Sequence, residues 1–69
     1  MAKELPIAPV KRLLKKATND KRVSDAAVDA FIEYIEKFIM NVGDEINDLV
    51  EYNHKKTVTK DDIIFVMER

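Results

Sequence analysis

Sixty-nine residues, no cysteine, one histidine and a formal charge of −1 describe one small domain, residues 1–69, without disulfides or thiolate metal sites. A chain this short buries only about 60% of the surface its unfolded form exposes, so its own core is marginal and needs a staple. His54 alone cannot build a Cys/His zinc site, which leaves a partner chain as the staple.

The near-neutral charge conceals segregation. Residues 1–24 carry Lys3, Lys11, Arg12, Lys15, Lys16, Lys21 and Arg22 against Glu4 and Asp20, a net +5. Residues 25–53 carry eight acids against Lys37 alone, a net −7, and residues 54–69 return to +1. A basic front end followed by an acidic middle says more about partners than the total does. The apolar stretch 31–42 is broken by Glu33, Glu36 and Lys37, too many charges for a membrane span. Pro6 and Pro9 fall where a secretion leader needs its apolar core. The expected location is the cytoplasm, associated with the nucleoid or chromosome.

Glycine and proline are scarce and no long alternation of apolar and polar residues occurs, so the chain reads as all-α. The first helix is predicted to start near Pro9, whose missing N–H suits a first turn. Val10, Leu13, Leu14 and Ala17 then mark an apolar side opposite Lys11, Arg12, Lys15 and Lys16. Thr18, Asn19 and Asp20 are turn formers that end it.

Ser24 is suited to cap a second helix, with Asp25 and Asp29 at the positive end of its dipole. Phe31, Ile35, Phe38, Val42, Ile46, Leu49 and Val50 continue its apolar stripe, widened by Ile32 and Ile39. A helix over residues 25–53 is about 43 Å long, whereas a compact globule of this size is about 28 Å across. The stripe therefore outruns its own chain, and Phe31, Ile35, Phe38, Val42, Ile46 and Leu49 are expected to form the core of a dimer. Thr59-Lys60-Asp61-Asp62 reads as the capped start of a third, short and strongly apolar helix. Two brief β-like pieces, residues 22–23 and 57–59, flank the long helix.

No Gly-rich phosphate loop or nucleophile–base pair is evident, and Ser24 is better explained as a cap. Asp29, Glu33, Glu36, Asp44, Asp48 and Glu51 follow a solvated face at helical spacing. Asp61 and Asp62, adjacent on a helix, diverge rather than share a cation. His54 reads as a loop residue and Met40 and Met67 as packing. No catalysis, metal, cofactor or small-molecule substrate is expected.

The basic residues point elsewhere. Lys11, Arg12 and Lys15 lie on the first helix, the first two placed in its first turn, where backbone N–H groups also favour anions. Arg22 and the Lys55-Lys56-Thr57 run occupy the loops on either side of the long helix. Two chains packed head to tail would bring Arg22 of one beside Lys55, Lys56 and Thr57 of the other at each end. Paired first helices would form a third patch between them. Three basic patches on one face suit double-stranded DNA held by its phosphates, without direct readout of sequence.

Specific residues add a resemblance. Leu5-Pro6-Ile7-Ala8-Pro9-Val10, Arg22-Val23-Ser24-Asp25, Lys55-Lys56-Thr57-Val58 and Lys60-Asp61-Asp62-Ile63 occur in the order and near-spacing of the archaeal histones, which the chain resembles over almost its whole length. The resemblance implies a histone fold (short helix, loop, long central helix, loop, short helix) that exists as an obligate handshake dimer. It implies an architectural protein that bends, wraps or coats DNA as a homodimer, with tetramers or larger assemblies on DNA. By the same resemblance Arg12 reaches toward the minor groove, Arg22 and Lys56 contact phosphates, and Thr57 supports an arginine near the groove.

Asp62 would clamp the residue seven before it, here Lys55 rather than the usual arginine, and lysine lacks the bidentate fork. Leu49, Tyr52 and Asp62 would lie at a dimer–dimer contact, with Tyr52 where the family often has histidine. The first loop, residues 18–22, is one residue longer than usual. The segment from Asp61 to Met67 also resembles histone-fold subunits of CCAAT-binding transcription factors, which implies the alternative of a subunit in a heterodimeric transcription or chromatin complex.

Overall fold

A computed structural model describes residues 4–69; Lys3 of the basic front end lies outside them. Among the described residues the chain forms three helices, α1 (Ile7–Ala17), α2 (Asp25–Tyr52) and α3 (Lys60–Glu68), in a short–long–short order with no strand. It divides into two compact units, Met1–Lys37 and Phe38–Arg69, with α2 running from one into the other.

In the first unit α1 begins two residues earlier than the prolines suggest. Pro6, extended at φ −70° and ψ 140°, takes the cap position, and Pro9 falls third in the helix. Its absent N–H costs nothing there, because the first four amides of a helix have no partner within it. Lys11 and Arg12 consequently sit in the second turn, not the first, away from the free amides. The helix ends in a Schellman motif: the Asp20 amide donates to the Lys15 carbonyl at 2.8 Å and the Asn19 amide to Lys16 at 3.3 Å. Asn19 and Asp20 both take φ of 61°, a region where Asn and Asp are tolerated. The turn-former reading of residues 18–20 thus has a backbone mechanism.

Ser24 caps α2 as expected, its Oγ accepting the Ala27 amide at 3.1 Å. Val28 and Ile32 are fully buried, and Val10, Leu14, Val23 and Ile35 are half-buried. Leu13 and Ala17, predicted on the apolar side of α1, are exposed. One feature of α2 departs from the solvated-face reading: the half-buried Glu36 carboxylate accepts the Glu4 amide at 2.7 Å and the Leu5 amide at 3.0 Å. It holds the segment that leads into α1.

In the second unit α2 also closes with a Schellman motif. Lys55 donates its amide to the Val50 carbonyl and His54 to Glu51, both at 3.0 Å. His54 occupies the left-handed position at φ 56°, so the lone histidine has a backbone role in the turn. Thr59 takes the cap position of α3, and the Asp62 carboxylate reaches back to accept its amide at 2.8 Å and its hydroxyl at 3.0 Å. Val50, Val66 and Asp62 are buried.

One expectation requires correction. The pieces at 22–23 and 57–59 are not strands, and Thr57 lies in a bend; a β-ladder needs a second strand to supply hydrogen bonds. The stripe expected to form the core of a dimer is open in the single chain: Phe31 is 42% and Phe38 53% exposed, while Ile35, Val42, Ile46 and Leu49 are half-buried. Among the described residues the buried apolar side chains are Val28 and Ile32 in the first unit and Val50 and Val66 in the second. No helix is long and apolar enough to cross a membrane among the described residues.

Candidate nucleic-acid interface

Two successive i, i+4 pairs, Lys11 with Lys15 and Arg12 with Lys16, array four cations along α1 at the spacing that makes helical residues neighbours. No acid lies in the first turn of the helix. Beyond its C-terminus, Lys21 and Arg22 line an open cleft with Leu14, Thr18, Val23, Ser24 and Ala27. The first unit thus gathers Arg12, Lys15, Lys16, Lys21 and Arg22, all exposed. Lys21 lines the cleft beside Arg22, a placement that its spacing in the sequence does not indicate.

Lys11 is different. Its Nζ lies 2.8 Å from Asp25 Oδ1, with 43% of the lysine side chain and 80% of the aspartate accessible. The hydrogen bond from Lys11, then its charge, hold the Asp25 carboxyl below its ordinary pKa. Fourteen residues separate the two, so no helical-spacing rule reveals the pair.

In the second unit Lys56 and Thr57 are exposed after the α2 cap, but Lys55 is engaged. Its Nζ touches both oxygens of Asp62, at 2.8 and 2.7 Å. The predicted clamp forms, and the single ammonium reaches both carboxylate oxygens despite lacking the arginine fork. Asp62 is held below its usual pKa by the Lys55 hydrogen bond first, then by the Thr59 amide.

The residues expected at a dimer–dimer contact separate by environment. Tyr52 is 82% exposed, Leu49 is half-buried, and Asp62 is buried with both oxygens committed to Lys55 and one also to Thr59. No group of three or more potential metal ligands occurs among the described residues.

The short–long–short helices, the two capped loops and the cations they carry agree with relationships visible in sequence comparison. The chain is 40% identical over 60 residues to one of the subunits of archaeal histone HAN1 from Thermococcus zilligii, covering 87% of this chain and 88% of that one. It is likewise 40% identical over 60 residues to probable archaeal histone 3 of Methanocaldococcus jannaschii, with the same coverage. A protein of Arabidopsis thaliana that is one of the subunits of nuclear transcription factor Y is 30% identical over 66 residues, which span 94% of this chain but only 28% of that protein. No solved structure matches. Residues 3–67 match the family of histone-like transcription factors (CBF/NF-Y) and archaeal histones, so this all-α chain, with its histone fold, belongs to that family of DNA-associated structural proteins rather than to any enzyme class.

Proposed function

We propose that the chain is an architectural DNA-binding protein that works as a handshake homodimer, one histone-fold domain per chain, on the chromosome. The cations carry this reading: among the described residues Arg12, Lys15, Lys16, Lys21, Arg22 and Lys56 are exposed and none is in an ion pair. Unopposed surface cations are what phosphate-backbone binding uses, and they carry no direct sequence readout. Arg12, Lys15, Arg22, Lys56 and Thr57 supply the principal contacts, Lys11 is conditional on its aspartate, and Lys55 acts mainly through Asp62.

The dimer reading rests on the exposed apolar surface. Among the described residues thirteen large apolar side chains, Phe31, Tyr34, Phe38 and Phe65 among them, are exposed in the single chain, against four apolar residues that are buried. Surface of that extent marks an association site. A second copy laid head to tail covers Phe31, Ile35, Phe38, Val42, Ile46 and Leu49, and brings Arg22 of one chain to Lys56 and Thr57 of the other. Leu49 and the exposed Tyr52 remain the contact through which dimers assemble further.

Duplex binding against salt concentration, on two unrelated sequences, tests the function. Each neutralised phosphate contributes roughly 0.9 to the slope of log affinity against log salt, so a shared slope of about −4 or steeper is expected. Replacing Arg22 and Lys56 by alanine should weaken both sequences alike and make the slope shallower. A flat line, or a loss of binding on one sequence only, rejects backbone binding.

A second reading, membership of a heterodimeric transcription complex, draws on the similarity to the nuclear transcription factor Y protein. Light scattering on the pure protein separates the two: a stable homodimer rejects an obligate heteromer.

A further inference from the structure

The two lysines held by aspartates are held in different ways. Lys55 sits against a carboxylate whose side chain is only 7% accessible, touching both oxygens while the Thr59 amide and hydroxyl donate to one of them. Displacing that lysine would leave a buried carboxylate without its charge partner, which is strongly disfavoured. Lys11 touches one oxygen of Asp25, and that aspartate is four-fifths accessible. The Asp25 carboxylate accepts no other hydrogen bond among the described residues, and the cap of α2 is supplied by Ser24 instead. Asp25 can therefore surrender Lys11 without exposing an unsatisfied buried group.

Lys11 also has the right neighbour for exchange. It lies one helical turn before the unpaired Lys15, on the same side of α1. A phosphate drawn to Lys15 arrives beside an ammonium already donating to an anionic oxygen.

We infer that Asp25 competes with DNA phosphate for Lys11: the aspartate holds this cation in the free protein and yields it on binding, and so acts as a built-in brake on affinity. The inference rests on the DNA-binding reading above. Its cost to affinity is that of one exposed ion pair, and its benefit is that the free protein presents one positive charge fewer to unintended anions.

The test uses the full chain on two unrelated duplexes, measuring affinity against salt for the parent, Asp25→Asn, Lys11→Ala, the double variant and Asp20→Asn. Asp20 is the charge control: it makes no ion pair among the described residues and its φ of 61° suits asparagine. Asp25→Asn is expected to tighten binding by about two- to fivefold, the range of an exposed ion pair. That gain should vanish in the Lys11→Ala background, and Asp20→Asn should give a smaller one. Lys11→Ala alone should make the slope shallower by roughly 0.9 per protomer, because one phosphate fewer is neutralised.

An unchanged slope for Lys11→Ala, a gain that survives without Lys11, or an equal gain from Asp20→Asn overturns the inference while leaving DNA binding intact. A parent protein that shows no salt-dependent binding overturns the DNA reading itself and this inference with it.

Discussion

The Nζ of Lys55 bridges the two carboxylate oxygens of Asp62 at 2.8 and 2.7 Å, tying the turn after α2 to the first turn of α3. The same carboxylate accepts the Thr59 amide and hydroxyl, so one buried group serves an ion pair and a helix cap together. Removing it leaves the lysine, the amide and the hydroxyl without their acceptor.

Acid should therefore unfold the protein through Asp62 and, to a smaller extent, Asp25. Both carboxyls titrate below the ordinary 3.8 when folded, so the unfolded chain takes up these protons first. Their stabilisation is complete above that value and is lost as pH falls through the folded pKa. Thermal melts taken from neutral to strongly acidic pH are expected to show the midpoint dropping below about pH 4. Asp62→Asn should lower the midpoint at neutral pH and flatten the acid limb. An acid limb of unchanged steepness would assign the acid sensitivity to other groups.

Gly43 lies inside α2, and a Cβ built on it meets nothing within 4 Å in its own chain. Interior glycine costs about 0.8–1.0 kcal/mol relative to alanine. Gly43→Ala is expected to stabilise by about that much, or to raise the midpoint by about 4–8 °C for a domain of this size. Ser24→Ala should move it the other way by about 1 kcal/mol through loss of the α2 cap. A destabilising Gly43→Ala would place the partner chain against that position.

Phe38 distinguishes the isolated chain from the dimer. At 53% exposure, truncation in a monomer should cost no more than about 0.5 kcal/mol, as for an ordinary surface site. As part of a covered interface it should cost about 3 kcal/mol or more. The larger figure is expected for Phe38→Ala, together with a midpoint that rises with protein concentration. Chemical denaturation at two concentrations checks both, and a small cost with no concentration dependence would reject the dimer core.

Tyr52, at the end of α2, is 82% exposed, and its proposed role in dimer–dimer contact can be tested directly. Tyr52→His is expected to increase the tetramer band on crosslinking without DNA. An identical ladder for parent and variant would remove Tyr52 as a determinant of assembly.

Much of this architecture is legible in residue order because it depends on local rules. Ser24 announces a helix start through a side chain that accepts an amide a turn away, Thr59 through the Asp62 carboxylate that reaches back to its amide and hydroxyl, and residues 18–20 announce a turn because Asn and Asp tolerate left-handed backbone. Helical spacing places Phe31, Ile35, Phe38 and Val42 on one stripe. The start of α1 is misplaced by two residues because either proline can occupy the beginning of a helix, and propensity alone does not choose between Pro6 and Pro9. The β-like pieces fail because strand propensity describes how a segment pairs, and each of these lacks a partner in the chain.

By itself the sequence determined the all-α order, the long α2, the segregated charge and the need for a partner, since periodicity, capping and charge counting act over one or two turns. Only the tertiary structure decided that Glu36 receives the amides of Glu4 and Leu5, that Lys11 is held by Asp25, and that Val28 and Ile32 rather than Phe31 and Phe38 are buried. These facts join residues from different elements, and the direction in which each side chain points there is set by packing rather than by its neighbours in sequence.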